Sequence, residues 1–130
     1  MAPLRYKGNS DLWVSNSVVD YFCDIVVEIS NLEGNDISSV YTEEPQIAGC
    51  YGVSGMGINL DCFFKYFGSK DKFITHLNIC RSRLSEICET EKVAKNMYHI
   101  FSWSIFLLNN GSIPKGTKFY DSLPSEDGTI

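Results

Sequence analysis

Three acidic residues recur at four-residue spacing near the start of the chain: Asp20, Asp24 and Glu28. Residues four apart lie on one face of an α-helix, so these carboxylates are expected to form a line along a helix. Like charges at this spacing destabilise an isolated helix by about 0.2–0.5 kcal/mol per pair. A solvated helix face explains the line as well as a binding surface for a cationic partner does; we take the binding surface as the working hypothesis.

Aromatic and acidic residues accompany this line. Tyr21 follows Asp20 directly, and Tyr41 comes shortly before two neighbouring glutamates. Tyrosine often anchors protein interfaces because its ring is large and apolar while its hydroxyl is polar. The predicted partner-binding residues are Asp20, Tyr21, Asp24, Glu28, Tyr41, Glu43 and Glu44.

The first half of the chain is acidic throughout. The formal net charge is −5, and there is no Lys or Arg from Gly8 to Phe64. That range holds nine acidic residues: Asp11, Asp20, Asp24, Glu28, Glu33, Asp36, Glu43, Glu44 and Asp61. Because such a surface repels phosphate, we expect a basic protein partner and no direct binding of nucleic acid.

A metal-dependent hydrolase is the alternative interpretation. Glu86 and Glu89 resemble half of the E-x-x-E arrangement by which helical nucleotide pyrophosphatases hold magnesium. No second pair of this kind is present, but Asp20 and Asp24 are placed to oppose the two glutamates in a helical bundle. An adaptor that holds a basic segment of another protein is a further alternative.

Other residues with potential chemistry form no complete catalytic or metal-binding motif. The glycine-rich run 52–57 is neither a nucleophile elbow, because Met56 stands two places after Ser54, nor a phosphate-binding loop with its lysine. His76 and His99 are isolated. The five cysteines are an odd number without a Cys-x-x-Cys pair. We therefore predict no enzyme activity, no metal, no cofactor and a reducing, cytoplasmic location.

Helical periodicity covers most of the chain. Apolar residues indicate a helix over 17–32, capped by Ser17 and followed by Gly34, although a buried strand over 25–29 is the competing interpretation. A short helix over 60–67 is predicted to be capped by Asn59 and to end at Gly68.

Two further helices are predicted in the second half. A long helix capped by Ser69 carries one apolar seam: Phe73, Leu77, Cys80, Leu84 and Ile87. The last helix begins at Thr90, is apolar nearly all round over 100–108, and ends at Asn110–Gly111. The longest apolar segments, 18–29 and 100–108, are too short to span a bilayer, so no membrane partner is expected.

The remaining segments are turn-rich. Residues 33–57 have no helical period, and short strands are expected there, at 39–42 or 47–51. An edge strand is expected over 116–120, followed by a polar tail over 121–130. The sequence therefore predicts one mainly α domain over 1–130, with about four helices and a Gly-rich connection containing short β-strands.

This profile resembles that of bacterial toxin-immunity proteins of the contact-dependent inhibition or polymorphic-toxin type. The resemblance lies in a small, acidic domain with acids and aromatics together at Asp20–Tyr21, at Asp24 and at 41–44. It implies a stoichiometric inhibitor that covers the basic active-site cleft of a nuclease toxin, with carboxylates in place of substrate phosphates.

Overall fold

A small sheet opens the chain, and helical periodicity did not predict it. The structure is a computed structural model that describes residues 2–7, 9–44 and 57–124. Strands β1 (Ala2–Tyr6) and β2 (Asn9–Val14) are antiparallel, with Leu4 opposite Leu12. The two-residue strand β3 (Ile58–Asn59) pairs with β1 in parallel, which gives the order β2-β1-β3. The fold is mainly α-helical, as predicted, with this sheet added.

The first helix, α1 (Asn16–Leu32), confirms the helical interpretation of the acidic segment and excludes the strand over 25–29. Ser15, not Ser17, caps it, because Ser15 has extended backbone and its Oγ accepts a hydrogen bond from the amide of Val18 at 3.3 Å. The helix buries one apolar face: Val19, Phe22, Cys23, Ile25, Val26, Val27 and Ile29.

The segment after α1 forms helix α2 (Val40–Glu43) where a strand over 39–42 was predicted, so that prediction is wrong. Asp36 Oδ1 accepts from the Ser38 amide at 2.9 Å, a side-chain turn that redirects the chain. Val40 is then buried and the following amides bond back to carbonyls three or four residues earlier. The strand predicted at 47–51 and most of the glycine-rich run at 52–57 lie outside the described residues.

The next helices follow the sequence closely. A 3-10 helix (Leu60–Phe63) continues into α3 (Phe64–Phe67), which ends at Gly68 in the left-handed conformation as predicted, although the Asn59 side chain makes no capping bond. Ser69 caps α4 (Lys70–Ser82).

The predicted long helix is interrupted at Arg83, whose backbone leaves helical geometry before the short helix α5 (Leu84–Ile87) begins. The predicted apolar face continues across this interruption, because Phe73, Leu77, Cys80 and Leu84 are all buried.

The last helix, α6 (Glu91–Asn110), forms the centre of the core. Thr90 caps it and Gly111 ends it in the left-handed conformation, both as predicted, and residues 100–108 are all buried. Among the described residues, no helix is long and apolar enough to cross a membrane. The strand expected over 116–120 is absent, because consecutive turns occupy this segment: the Thr117 amide bonds to Pro114 and the Asp121 amide to Lys118.

Candidate functional site

Part of the predicted acidic surface lines one groove between α1 and α2. Asp24 and Glu28 enter it from α1, Tyr41 enters it from α2, and Leu32 lies at the end of α1. The groove has a volume of about 580 Å³. Glu28 is exposed and Leu32 is 61% exposed, whereas Asp24 and Tyr41 are partly buried. We call this feature the acidic groove.

Hydrogen bonds hold the two sides of the acidic groove together. The Tyr41 hydroxyl donates to Asp24 Oδ1 at 2.5 Å. The Asn31 side chain links α1 to the turn that precedes α2, because its Nδ2 donates to Ser38 Oγ at 3.1 Å and its Oδ1 accepts from the Ile37 amide at 3.1 Å. A carboxylate that accepts a phenolic hydrogen bond has a defined position, so Asp24 is oriented before any ligand arrives.

Glu43 and Glu44, also predicted as partner-binding, do not line the acidic groove. Glu43 accepts a hydrogen bond from the Tyr66 hydroxyl at 2.7 Å, and Glu44 forms an ion pair with Lys65 at 2.6 Å. Burial, followed by the hydrogen bond to Glu43, raises the pKa of Tyr66 well above its ordinary value, so its hydroxyl remains a donor. These two glutamates thus contact the segment around α3.

Tyr21 faces a different neighbourhood. Burial, then a hydrogen bond with Cys88 and the nearby charge of Glu89, raises the pKa of Tyr21 to about 12. Its ring lines a pocket of about 310 Å³ that also contains Val93 and Tyr120. Tyr21 therefore lines the contact between α1 and the start of α6 and does not line the acidic groove, although the charge of Glu28 also raises its pKa.

The line of three carboxylates is less exposed than its spacing indicates. Asp20 is partly buried, and its Oδ1 is a buried atom without a hydrogen-bond partner among the described residues. Of the three, Glu28 is exposed. The line is real, but its N-terminal end is partly covered rather than fully solvated.

The four carboxylates that the metal-dependent hydrolase would require do not come together. Among the described residues, no group of three or more His, Cys, Asp and Glu side chains is arranged to hold a metal. Glu86 accepts a hydrogen bond from Arg83 Nε at 3.1 Å, and Asp24 is bonded to Tyr41. Asp20, Asp24, Glu86 and Glu89 therefore do not form a two-pair carboxylate site.

His76 and Cys80 are brought together inside the core. The Cys80 Sγ lies 3.3 Å from His76 Nε2, which is also 2.9 Å from the carbonyl oxygen of Val26. Burial raises the pKa of the Cys80 thiol to about 12 and lowers the pKa of His76. A buried neutral thiol beside a neutral imidazole is a packing contact, because nucleophilic cysteines need an accessible thiolate.

Sequence reasoning missed part of the acidic groove. Leu32 fits the apolar period of α1, yet the structure leaves it exposed at the last position of the helix. Asn31 and Ser38 carried no signal, because the contact between them depends on how α2 turns back against α1. Asn35, Asp36 and Ser38 are residue types that favour turns, and they are the signal from which a reversal of the chain at this point could have been predicted.

Comparisons with protein-family models, with curated proteins and with solved structures each give no match. The acidic groove and the charge distribution of the chain are therefore the features that bear on its function.

Proposed function

We propose that the chain is a binding protein that receives a basic surface of a protein partner in the acidic groove. One observation carries this proposal. Asp24 and Glu28 line the groove, and neither takes part in the ion pairs that the structure records for the acidic half, which join Glu33 to Arg83 and Glu44 to Lys65.

The mixed character of the acidic groove suits lysine or arginine. The aliphatic stems of these side chains pack on apolar surface, which Leu32 and Val27 supply, while the charged ends reach carboxylates. Glu28 at the rim is placed for a solvated contact, and Asp24, oriented by Tyr41, for a more buried one. Orientation before binding reduces the entropic cost of association.

Within this function, we propose the role of an immunity protein that covers the basic substrate cleft of a nuclease toxin. The support is the profile of a small acidic domain whose range from Gly8 to Phe64 contains no Lys or Arg. An acidic surface of this kind attracts a cationic cleft over a distance and accelerates association at low salt.

The test removes the groove charges without reversing them. In the double variant Asp24→Asn/Glu28→Gln, two partner cations roughly 7 Å away each lose about 0.6 kcal/mol of attraction in water. Association should slow about eightfold at low salt and only about twofold at 0.15 M, where the Debye length is about 8 Å. The matched control is Glu91→Gln/Asp121→Asn, which changes the net charge equally at exposed sites that lie outside the groove and take part in none of the ion pairs among the described residues.

The assay begins with capture from the native host by the tagged chain, followed by mass spectrometry and binding kinetics with the purified partner. The expected partner is basic and binds the control variant like the wild type. Inhibition of its nuclease activity at equimolar ratio supports the immunity role, whereas binding without inhibition supports an adaptor. Equal association rates for the wild type and the groove variant at low salt would refute the groove as the binding site.

A further inference from the structure

A second pocket lies where α4, α5 and α6 meet the segment that follows the last helix. Its volume is about 400 Å³, within the range of about 300–1,000 Å³ that is typical of small-molecule sites. Apolar side chains form its wall: Leu84, Ala94, Tyr98 and Leu123. Two cations, Arg81 and Lys95, also line it, and it shares no lining residue with the acidic groove. We call it the cationic pocket.

The guanidinium of Arg81 is held in place by neutral groups. Its Nη1 donates to Ser102 Oγ at 3.0 Å, its Nη2 donates to Asn78 Oδ1 at 2.9 Å, and it stacks 5.2 Å from the centre of the Tyr98 ring. Arg81 is partly buried, and it takes part in none of the ion pairs formed among the described residues.

An arginine in this situation has capacity for an anion. Arginine has five N–H donors, of which the two contacts to Ser102 and Asn78 use two. A partly buried charge is usually paired, because removing it from water costs free energy that a counter-ion offsets. Since Ser102 and Asn78 supply orientation but no negative charge, the unmatched charge of Arg81 favours an anion inside the pocket.

The far wall of the cationic pocket is anchored to the core. The carbonyl oxygen of Ser122 accepts from Trp103 Nε1 at 3.0 Å and lies 2.8 Å from His99 Nδ1. The Phe119 carbonyl oxygen is also 2.8 Å from this nitrogen. Carbonyl oxygens only accept hydrogen bonds, so Nδ1 carries the proton. These bonds hold Leu123 beside α6, and the apolar wall is therefore preformed.

We propose that the cationic pocket binds a small anionic amphiphile, a carboxylate attached to an apolar or aromatic body. The carboxylate pairs with Arg81, with Lys95 as the second cation. The apolar body packs against Leu84, Ala94 and Leu123 and against the ring of Tyr98. This site is separate from the proposed partner-binding groove and does not depend on it.

The probe for this proposal is phenylbutyrate, titrated into the ¹⁵N-labelled protein and followed by heteronuclear NMR. We expect saturable shifts confined to the amides around the cationic pocket. Phenylbutanol and phenylbutylamine have the same apolar body without the carboxylate, and each should bind about tenfold more weakly. No saturable binding, equal binding of the alcohol, or shifts centred on the acidic groove would overturn the proposal.

Single substitutions test whether the preference for a carboxylate arises from the cations that line the pocket. Arg81→Gln should weaken phenylbutyrate binding about fivefold and remove most, but not all, of its advantage over phenylbutanol, because Lys95 remains. Lys95→Gln, at an exposed position where folding is not at risk, should weaken it by a smaller factor and decides the question if Arg81→Gln does not fold. Lys92→Gln makes the same charge change outside the pocket and should leave binding unchanged. Unchanged affinity in both pocket variants would refute the assignment.

Discussion

Replacing Asp20 by asparagine is expected to stabilise the isolated protein, although it removes a residue of the acidic line. Asp20 carries a buried Oδ1 without a hydrogen-bond partner among the described residues, and Asp24 lies one helical turn further along α1. Asparagine has nearly the same shape but no charge. The change therefore removes both the repulsion and the cost of burying part of a charged group.

The size of this effect follows from two contributions. Relief of the repulsion between Asp20 and Asp24 is worth about 0.2–0.5 kcal/mol. A buried polar atom without a partner costs about 1–3 kcal/mol, and asparagine recovers only part of this because its own carbonyl oxygen still needs a donor. We expect the free energy of unfolding to rise by roughly 0.5–1 kcal/mol, which raises the melting temperature by about 2–5 °C.

The assay is urea unfolding at pH 7 in low salt and in 0.5 M NaCl. The repulsive contribution should be screened in the higher salt, while the contribution from the buried oxygen remains, so the gain in stability shrinks without disappearing. Asp121→Asn is the control, because Asp121 is exposed and lies beyond α6; its effect should stay within about 0.5 kcal/mol. If the free energy of unfolding of Asp20→Asn is equal to or lower than that of the wild type, the partly buried charge of Asp20 does not destabilise the free protein.

Two further predictions concern the core and the sheet. Burial lowers the pKa of His76 in the folded protein below its ordinary 6.5. As the pH falls, the unfolded chain therefore binds a proton at this residue before the folded protein does. The stability that neutral His76 contributes is complete above about pH 6.5 and is lost as the pH falls towards the pKa of the folded state. Between pH 7 and 5, the free energy of unfolding measured in urea should fall by up to about 1.4 kcal/mol per pH unit in the wild type and should not show this fall in His76→Gln. The same pH dependence in both proteins would show that His76 is not its origin. Gly57→Ala should be severely destabilising, because Gly57 has a φ of +65° and a Cβ there would clash with the carbonyl oxygen of Pro3. Gly34→Ala, with a φ of +89° and open space around it, should cost only about 1–2 kcal/mol, and equal thermal shifts for the two variants would refute the role of the contact with Pro3.

Most of the helices could be predicted from the sequence because the residues that begin and end them act within a few positions along the chain. The caps at Ser69 and Thr90 and the left-handed glycines at 68 and 111 involve hydrogen bonds within four residues. The buried stretch 100–108 followed from its apolar composition alone. Even the error at the start of α1 was a shift of two residues between serines that can both cap a helix.

The three-stranded sheet could not be predicted from such local patterns. β1 pairs with β2 nearby, but it also pairs with β3, which lies beyond α2 in the chain, so its stability depends on partners that local patterning does not reveal. Arg83, where the predicted long helix is interrupted, also contacts a distant part of the chain. Its guanidinium binds Glu86 at 3.1 Å and, at 2.8 Å, Glu33, which directly follows α1.

The acidic character of the first half and the four-residue spacing of its carboxylates follow from the residue order alone. Which of these acids act together depends on how the helices pack. Packing placed Tyr41 against Asp24, paired Glu44 with Lys65, and placed Tyr21 in a pocket beside the start of α6. These contacts join residues far apart in the chain, and their formation depends on how the helices pack rather than on the propensity of any one segment.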